Sequence, residues 1–197
     1  MKGPWSKTFA TSSNDDDPYD SLLMVPGPTI VDKKVRDVMN NNQMGHLSQE
    51  FTDHFRIMLD LSKKIFLTKT GSPFIISGSG TIAMESAVLS LLEKNNTGLV
   101  LDTGYFAQRF DQMLNCYGIK SNILSFDFGN HADPDILKRE LISNKPDAVF
   151  ITHVDTSSTV MNNISELVKE VKDQNILAIV DSVCGVGGCE LNFDKLG

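Results

Sequence analysis

The chain has 197 residues, 41% of them hydrophobic, and its 18 Lys and Arg against 25 Asp and Glu give a net charge of −7. A chain of this size can bury one sizeable core. Its acidic balance, without a basic cluster, argues against a nucleic-acid or membrane-surface partner and favours a small-molecule ligand. The longest apolar runs have the length of strands and are too short to span a bilayer.

The first 22 residues form a polar segment that contains an acidic run at 15–17. Because this segment is polar, we expect a flexible arm at 1–22 followed by one domain at 23–197. Because it lacks the apolar core of a secretion signal, we expect an intracellular soluble protein. The three cysteines have neither CxxC nor CxxH spacing. This pattern favours reduced structural thiols and predicts no metal site.

From residue 73 onward, short β-rich apolar runs alternate with segments of helical period. The predicted strands cover residues 74–77, 98–102, 122–126, 148–153 and 176–180. The predicted helices cover residues 81–93, 106–117, 133–143 and 164–173. This alternation predicts an α/β fold, a mostly parallel sheet with helices on both faces. Asp133 and Pro134 form a typical helix start, with an N-cap followed by proline at the first helical position.

The turn at residues 77–81, Ser-Gly-Ser-Gly-Thr, lies between the first predicted strand and the first of these helices. Glycine lets the backbone approach an anion closely, and the free amide groups of the helix start point toward it. The hydroxyl groups of Ser79 and Thr81 can add hydrogen bonds. The same turn could be an ordinary chain reversal or part of a nucleotide-binding domain, although the G-x-G-x-x-G and terminal Gly-Lys-Ser/Thr patterns are absent.

Ligands of open α/β sheets gather beyond the carboxyl ends of the strands. Asp181 directly follows the last predicted strand, where a buried carboxylate needs a partner to stay charged, although it could also cap the next turn. Phe106 follows an earlier strand and could be either a core aromatic or a flat face for a ligand. Thr156 and His153 lie in the polar segment 152–158, and we expect His153 only to support that loop.

Together these motifs resemble the cofactor pocket of the class V, fold-type I aminotransferases that use pyridoxal phosphate, most closely the alanine–glyoxylate and serine–pyruvate group. The resemblance begins near residue 24 and runs to the end of the chain. It assigns six residues to the cofactor: Ser79, Gly80 and Thr81 to its phosphate, Phe106 to its ring face, Thr156 to its phenolic oxygen and Asp181 to its ring nitrogen. It also places Pro26 and Gly27, in a Pro-Gly-Pro opening, near the substrate.

The chemistry of these side chains is consistent with the roles that the resemblance implies. A carboxylate at Asp181 would keep a proton on the ring nitrogen, which the cofactor needs to withdraw electrons. Thr156 could polarise the phenolic oxygen without adding charge. Two positions depart from the family pattern: Thr159 stands where many relatives have Gly, and Phe106 where Trp is common in the group.

The resemblance also implies groups that are not found in these 197 residues. The family's Schiff-base lysine follows on the strand after Asp181 and is expected beyond residue 197, because Lys195 matches the surface turn before that strand. The small domain, with its substrate-binding arginine, is expected there too. The sequence therefore predicts part of the large domain of an aminotransferase, inactive by itself.

The complete enzyme would transfer an amino group from alanine or serine to glyoxylate or pyruvate, as a homodimer in peroxisome, mitochondrion or cytosol. The sequence does not distinguish between these compartments. It also leaves open two alternatives, a non-catalytic fragment of the pyridoxal-phosphate fold and a scaffold or dimerisation protein.

Overall fold

The computed structural model describes residues 23–197, so the arm predicted at 1–22 lies outside the described residues. The described chain divides into two compact units, with the boundary after Gly45. In the first unit, helix α1, Lys33–Val38, begins after Asp32, whose side chain accepts a hydrogen bond from the Lys34 amide at 2.8 Å. The second unit, which starts at His46, contains the other described helices and all the described strands.

A parallel sheet lies at the centre of the second unit. The strands of this unit are β1 Thr97–Asp102, β2 Lys120–Ser125, β3 Ala148–Thr152, β4 Val154–Asp155, β5 Val160–Met161 and β6 Leu177–Asp181. Four of them form the sheet in the order β2-β1-β3-β6, with every neighbouring pair parallel. The short strands β4 and β5 pair with each other as an antiparallel hairpin.

Helices cover both faces of this sheet. The helices of this unit are α2 Gln49–Ile65, α3 Gly80–Leu91, α4 Tyr105–Cys116, α5 Pro134–Asn144, α6 Ile164–Asp173 and α7 Phe193–Leu196. Of these, α3 and α4 cover one face and α5 and α6 the other, whereas α2 has no buried residue. Among residues 23–197, none of the helices combines the length and the apolar character needed to cross a bilayer.

Two buried hydrophobic clusters separate the helices from the sheet. One cluster contains side chains of α3 and α4, with Phe110 packed against Phe150 of β3 at a ring-centroid distance of 4.8 Å. The other contains side chains of α5 and α6, such as Leu137, against Val149 of the same strand. Because successive residues of a strand point to opposite faces, β3 supplies both clusters and is buried along its whole length. The predicted fold class is therefore confirmed.

The elements predicted from residue 81 onward are present, with ends shifted by a few residues. Asp133 caps α5 as predicted, accepting hydrogen bonds from the amides of Asp135 at 2.8 Å and Ile136 at 3.1 Å. The strand predicted at 74–77 is wrong, because these residues pair with no described strand and Phe74 is 86% exposed. An apolar run becomes a strand only where a neighbouring strand accepts its hydrogen bonds.

Candidate functional site

The predicted cofactor residues all belong to the second unit and follow the carboxyl edge of the sheet or open a helix beside it. The register pairs Thr152, the last residue of β3, with Asp181, the last residue of β6. Phe106 lies in the first turn of α4, which follows β1 after a two-residue connection. Pro26 and Gly27 belong to the first unit, and their proximity to a substrate stays a prediction.

The turn before α3 leaves backbone donors free. Ser79 is the N-cap residue of α3, but its side chain makes no capping hydrogen bond. The Ile82 amide donates to the Ser79 carbonyl at 3.0 Å, whereas the amides of Gly80 and Thr81 find no acceptor among residues 23–197. Two free amide groups at the positive end of a twelve-residue helix form a suitable seat for a phosphate.

Asp181 ends β6 with one carboxylate oxygen engaged and the other free. Its Oδ1 accepts a hydrogen bond from the Val183 amide at 3.0 Å, so the turn-capping role that the sequence left open is present. Its Oδ2 has no partner within the described part of the chain and remains available to a ligand. A Cβ built on Gly80 would lie 3.3 Å from Val183 Cγ2, which places the start of α3 beside this turn.

Gly80 and Asp181 line the same cavity, which has a volume of about 810 Å³. Ala83 and Met84 of α3 and Val183 contribute apolar surface to it. A cavity bordered by the first residue of α3 at one place and by a carboxylate at another suits a ligand with an anionic group and a protonated ring nitrogen. A second cavity, of about 740 Å³, includes none of the six predicted cofactor residues.

His153 connects the ends of β3 and β6. Its backbone amide donates to the Asp181 carbonyl at 2.8 Å, and its Nδ1 lies 2.8 Å from Ser182 Oγ. Burial lowers the pKa of this imidazole below its ordinary value of 6.5, so the ring is neutral at pH 7. The ring therefore holds the residue that follows Asp181 without adding charge to the site.

Phe106 and Thr156 lie apart from the cavity that contains Asp181. Phe106 is 36% exposed and meets the ring of Tyr105 edge-on, with the centroids 5.4 Å apart. Thr156 is half-buried in the turn between β4 and β5. The buried Asp155 connects the two, because its carboxylate accepts the Phe106 amide at 3.0 Å and Asp155 directly precedes Thr156.

Sequence reasoning missed Asp155 and a buried polar network next to it. In this network Asn162 donates from Nδ2 to Thr103 Oγ1 at 3.0 Å and to the Thr152 carbonyl at 2.7 Å, while its Oδ1 accepts the Ala132 amide at 2.8 Å. The Asp-x-Ser spacing at 155–157 was the available signal, because an aspartate readily accepts from the amide two residues later.

Thr159, which stands where the resembled family often has Gly, has an unusual backbone conformation. Thr159 has a φ of 60°, in the left-handed region that favours glycine and that a β-branched residue rarely adopts. The residue lies in the connection between β4 and β5. The chain therefore keeps the backbone shape that glycine would give at this position, at the cost of local strain.

Comparison with known proteins agrees with this geometry. The family model "Aminotransferase class-V" matches residues 31–197. An uncharacterised aminotransferase of Methanocaldococcus jannaschii is 34% identical over 181 residues, covering 91% of this chain and 46% of the relative. Alanine–glyoxylate aminotransferase 1 of Saccharomyces cerevisiae is 31% identical over 186 residues, covering 89% of this chain and 48% of the relative.

A solved structure shows the same architecture. The ureidoglycine–glyoxylate aminotransferase of Bacillus subtilis superposes with a TM-score of 0.85 at 27% identity, over 88% of this chain and 45% of that chain. The chain thus spans about half the length of the relatives it matches. The parallel sheet, the helix start at its carboxyl edge and these matches together show that the chain belongs to the class-V aminotransferase family.

Proposed function

We propose that this chain is the cofactor-holding part of a pyridoxal-phosphate-dependent aminotransferase of the alanine–glyoxylate type. The complete protein transfers an amino group from alanine or serine to glyoxylate or pyruvate, and does so as a homodimer. The chain of 197 residues binds the cofactor without catalysing the transfer. The family membership and the names of the relatives, among them an alanine–glyoxylate aminotransferase, support this choice of reaction.

The observation that carries the proposal is the cavity shared by the start of α3 and the end of β6. The free amides of Gly80 and Thr81, with the hydroxyls of Ser79 and Thr81, hold the phosphate. The free Oδ2 of Asp181 accepts a hydrogen bond from the protonated ring nitrogen. The family resemblance gives Phe106 the ring face and Thr156 the phenolic oxygen, and both residues lie outside the lining of this cavity.

Pyridoxal phosphate, when bound, supplies a ring that withdraws electrons from a bond to the substrate α-carbon. The contribution of Asp181 is to keep the ring nitrogen protonated, because a carboxylate at hydrogen-bond distance stabilises the charged form. Met84, which is buried, adds apolar surface to the same cavity, and an apolar surrounding strengthens this interaction. Because the imidazole of His153 is neutral at pH 7, it forms no ion pair with Asp181 in place of the cofactor's ring nitrogen.

Among residues 23–197, the one amine that lines this cavity is already hydrogen-bonded to the backbone. Lys172 is the only lysine among the residues lining this cavity, and its Nζ donates to the Leu196 carbonyl at 3.1 Å. We therefore expect binding of the cofactor through phosphate, ring face and Asp181, and no turnover of alanine with glyoxylate.

Equilibrium titration of the chain with pyridoxal phosphate, followed by the absorption of the cofactor, tests the proposal. Asp181→Asn should weaken binding about tenfold or more, because a hydrogen bond to a charged group contributes about 1.5–3 kcal/mol. Asp147→Asn is the matched control. Asp147 precedes β3 and accepts the Thr97 amide at 2.7 Å, at the opposite end of the sheet.

Binding that is absent in the unsubstituted chain, or that is equal in Asp181→Asn and Asp147→Asn, would contradict the cofactor proposal. Transfer of the amino group by the purified chain would contradict only the expectation that the chain is inactive by itself. A scaffold protein would show neither binding nor transfer.

A further inference from the structure

We propose that Asp155 is a positioning residue for the cofactor, whose buried carboxylate fixes both the ring face of Phe106 and the hydroxyl of Thr156 through the backbone. The inference rests on the proposed function, because it concerns two of the groups that would contact pyridoxal phosphate. The sequence motifs give roles to Phe106 and Thr156 but none to Asp155.

The carboxylate of Asp155 is fully buried, and both of its oxygens accept hydrogen bonds. Oδ2 accepts the amide of Phe106 at 3.0 Å and that of Ala107 at 3.3 Å. Oδ1 accepts the amide of Ser157 at 3.0 Å and its hydroxyl at 2.6 Å. No salt bridge within residues 23–197 involves Asp155, so these four donors compensate its charge.

These hydrogen bonds replace a local cap at the start of α4. The N-cap residue is Gly104, which has no side chain to accept from the first amides of the helix. The Tyr105 amide donates instead to Ser157 Oγ at 2.8 Å, so the first three amides of α4 all bind residues of the β4–β5 region. A negative charge at this position also interacts favourably with the helix dipole.

Gly104 allows the carboxylate to lie against the backbone. Its φ of 162° is extended, a conformation that any residue can adopt. A Cβ at this position would lie 2.5 Å from Asp155 Cγ and 2.6 Å from Oδ2. The glycine is therefore needed for space rather than for conformation, and the space is occupied by Asp155.

The two predicted ring contacts are direct neighbours of the hydrogen-bonded atoms. The amide of Phe106 itself is bound by Oδ2, and Thr156 lies between Asp155 and Ser157, which is bound by Oδ1. A shift of the carboxylate therefore moves the ring face and the hydroxyl together. No hydrogen bond joins Asp155 to the 77–81 turn or to Asp181 among the described residues, so the phosphate seat should not respond.

The test compares Asp155→Asn with the unsubstituted chain in three measurements: affinity for pyridoxal phosphate, affinity for inorganic phosphate, and the circular dichroism induced in the cofactor's absorption band. The asparagine keeps the size of the side chain but puts an NH2 group against backbone donors. We expect about tenfold weaker binding of pyridoxal phosphate and loss of the induced signal, with phosphate affinity changed by less than about twofold.

Asp133→Asn is the matched control, since Asp133 accepts two first-turn amides of α5 in the same way but lies outside the proposed site. It should leave all three measurements unchanged. Ser157→Ala provides a second variant, because it removes one donor to Oδ1 and the acceptor of the Tyr105 amide. If Asp155→Asn does not fold, Ser157→Ala must show the same selective loss of pyridoxal phosphate.

An unchanged affinity and dichroism in the folded variant, or an equal loss of phosphate binding, would overturn the positioning role. Loss of binding in Asp133→Asn as well would also overturn it, because the effect would then come from general destabilisation. If the unsubstituted chain binds no pyridoxal phosphate, the proposed function fails and this inference fails with it. If the unsubstituted chain binds pyridoxal phosphate and both Asp155→Asn and Ser157→Ala bind it equally well, only this inference fails.

Discussion

Replacing Gly104 with alanine tests the contact between the start of α4 and the Asp155 carboxylate. The new Cβ would lie 2.5 Å from Asp155 Cγ, 2.6 Å from Oδ2 and 2.8 Å from Oδ1. Ordinary van der Waals contact begins near 3.4 Å, so the carboxylate must retreat by about 0.9 Å. Because the backbone of Gly104 is extended, alanine causes no conformational strain, and the loss measured relative to another Gly→Ala substitution reports this contact.

The displacement predicts the size of the effect. A retreat of the carboxylate by about 0.9 Å, directed away from the start of α4, would stretch the hydrogen bond between Oδ2 and the Phe106 amide from 3.0 Å to at most about 3.9 Å, beyond hydrogen-bond distance. The hydrogen bond from Ala107, at 3.3 Å, would break too. Since hydrogen bonds to a charged group contribute about 1.5–3 kcal/mol each, Gly104→Ala should lower the free energy of unfolding by about 3 kcal/mol or more.

Urea denaturation followed by far-ultraviolet circular dichroism measures this loss. Gly188→Ala is the control, because its Cβ would meet only the Gly185 and Cys184 carbonyl oxygens, at 3.7 Å and 3.9 Å. A loss in Gly104→Ala of less than about 1 kcal/mol, or one equal to the control, would show that the carboxylate is not held as described.

Two further predictions concern stability. Asp194 accepts hydrogen bonds from the Thr68 hydroxyl, the Lys69 amide and the Thr70 hydroxyl, which lower its pKa from 3.8 to about 2. A carboxylate whose pKa is lower in the folded than in the unfolded chain stabilises the fold at pH values above its unfolded pKa. The Tm of the unsubstituted chain should therefore exceed that of Asp194→Asn by the full amount above about pH 4, and the difference should vanish as the pH falls through 2. A Tm difference that does not change with pH would contradict this. Leu137→Ala removes a fully buried side chain and should lower the free energy of unfolding, measured by urea denaturation, by about 2–5 kcal/mol. Ile136→Ala, at a neighbouring position that is 36% exposed, should lower it clearly less. Equal losses would contradict the burial of Leu137.

The alternating elements could be predicted from the sequence because the signals are local. Each strand of the sheet carries its own apolar run, and α5 carries its own start signal at Asp133. The prediction at 74–77 failed because a strand also needs a partner, which no local pattern supplies. The β4–β5 hairpin escaped prediction because strands of two residues are too short to show alternation.

The candidate site, too, could be predicted from the sequence only in part. The sequence predicted which residues would follow the strand ends, and the structure brings Gly80 and Asp181 to one cavity. The sequence could not show that the Asp155 carboxylate connects Phe106 with Thr156 through a hydrogen bond, since Asp155 and Phe106 are 49 residues apart in the chain. Long-range hydrogen bonds of a buried carboxylate depend on the assembled fold, whereas helix caps and apolar periodicity do not.

The distant cap of α4 also sets an order of events during synthesis. When the residues of α4 leave the ribosome, the acceptors for its first three amides do not yet exist, because Asp155 and Ser157 follow about fifty residues later. At a translation rate of about 5–20 residues per second, this helix start waits for several seconds. The helix can propagate from its other turns in the meantime, but its first turn gains its full set of hydrogen bonds only after β3 has joined β1. The start of α4, with Phe106, therefore gains its cap after the 77–81 turn has been synthesised and before Asp181 has.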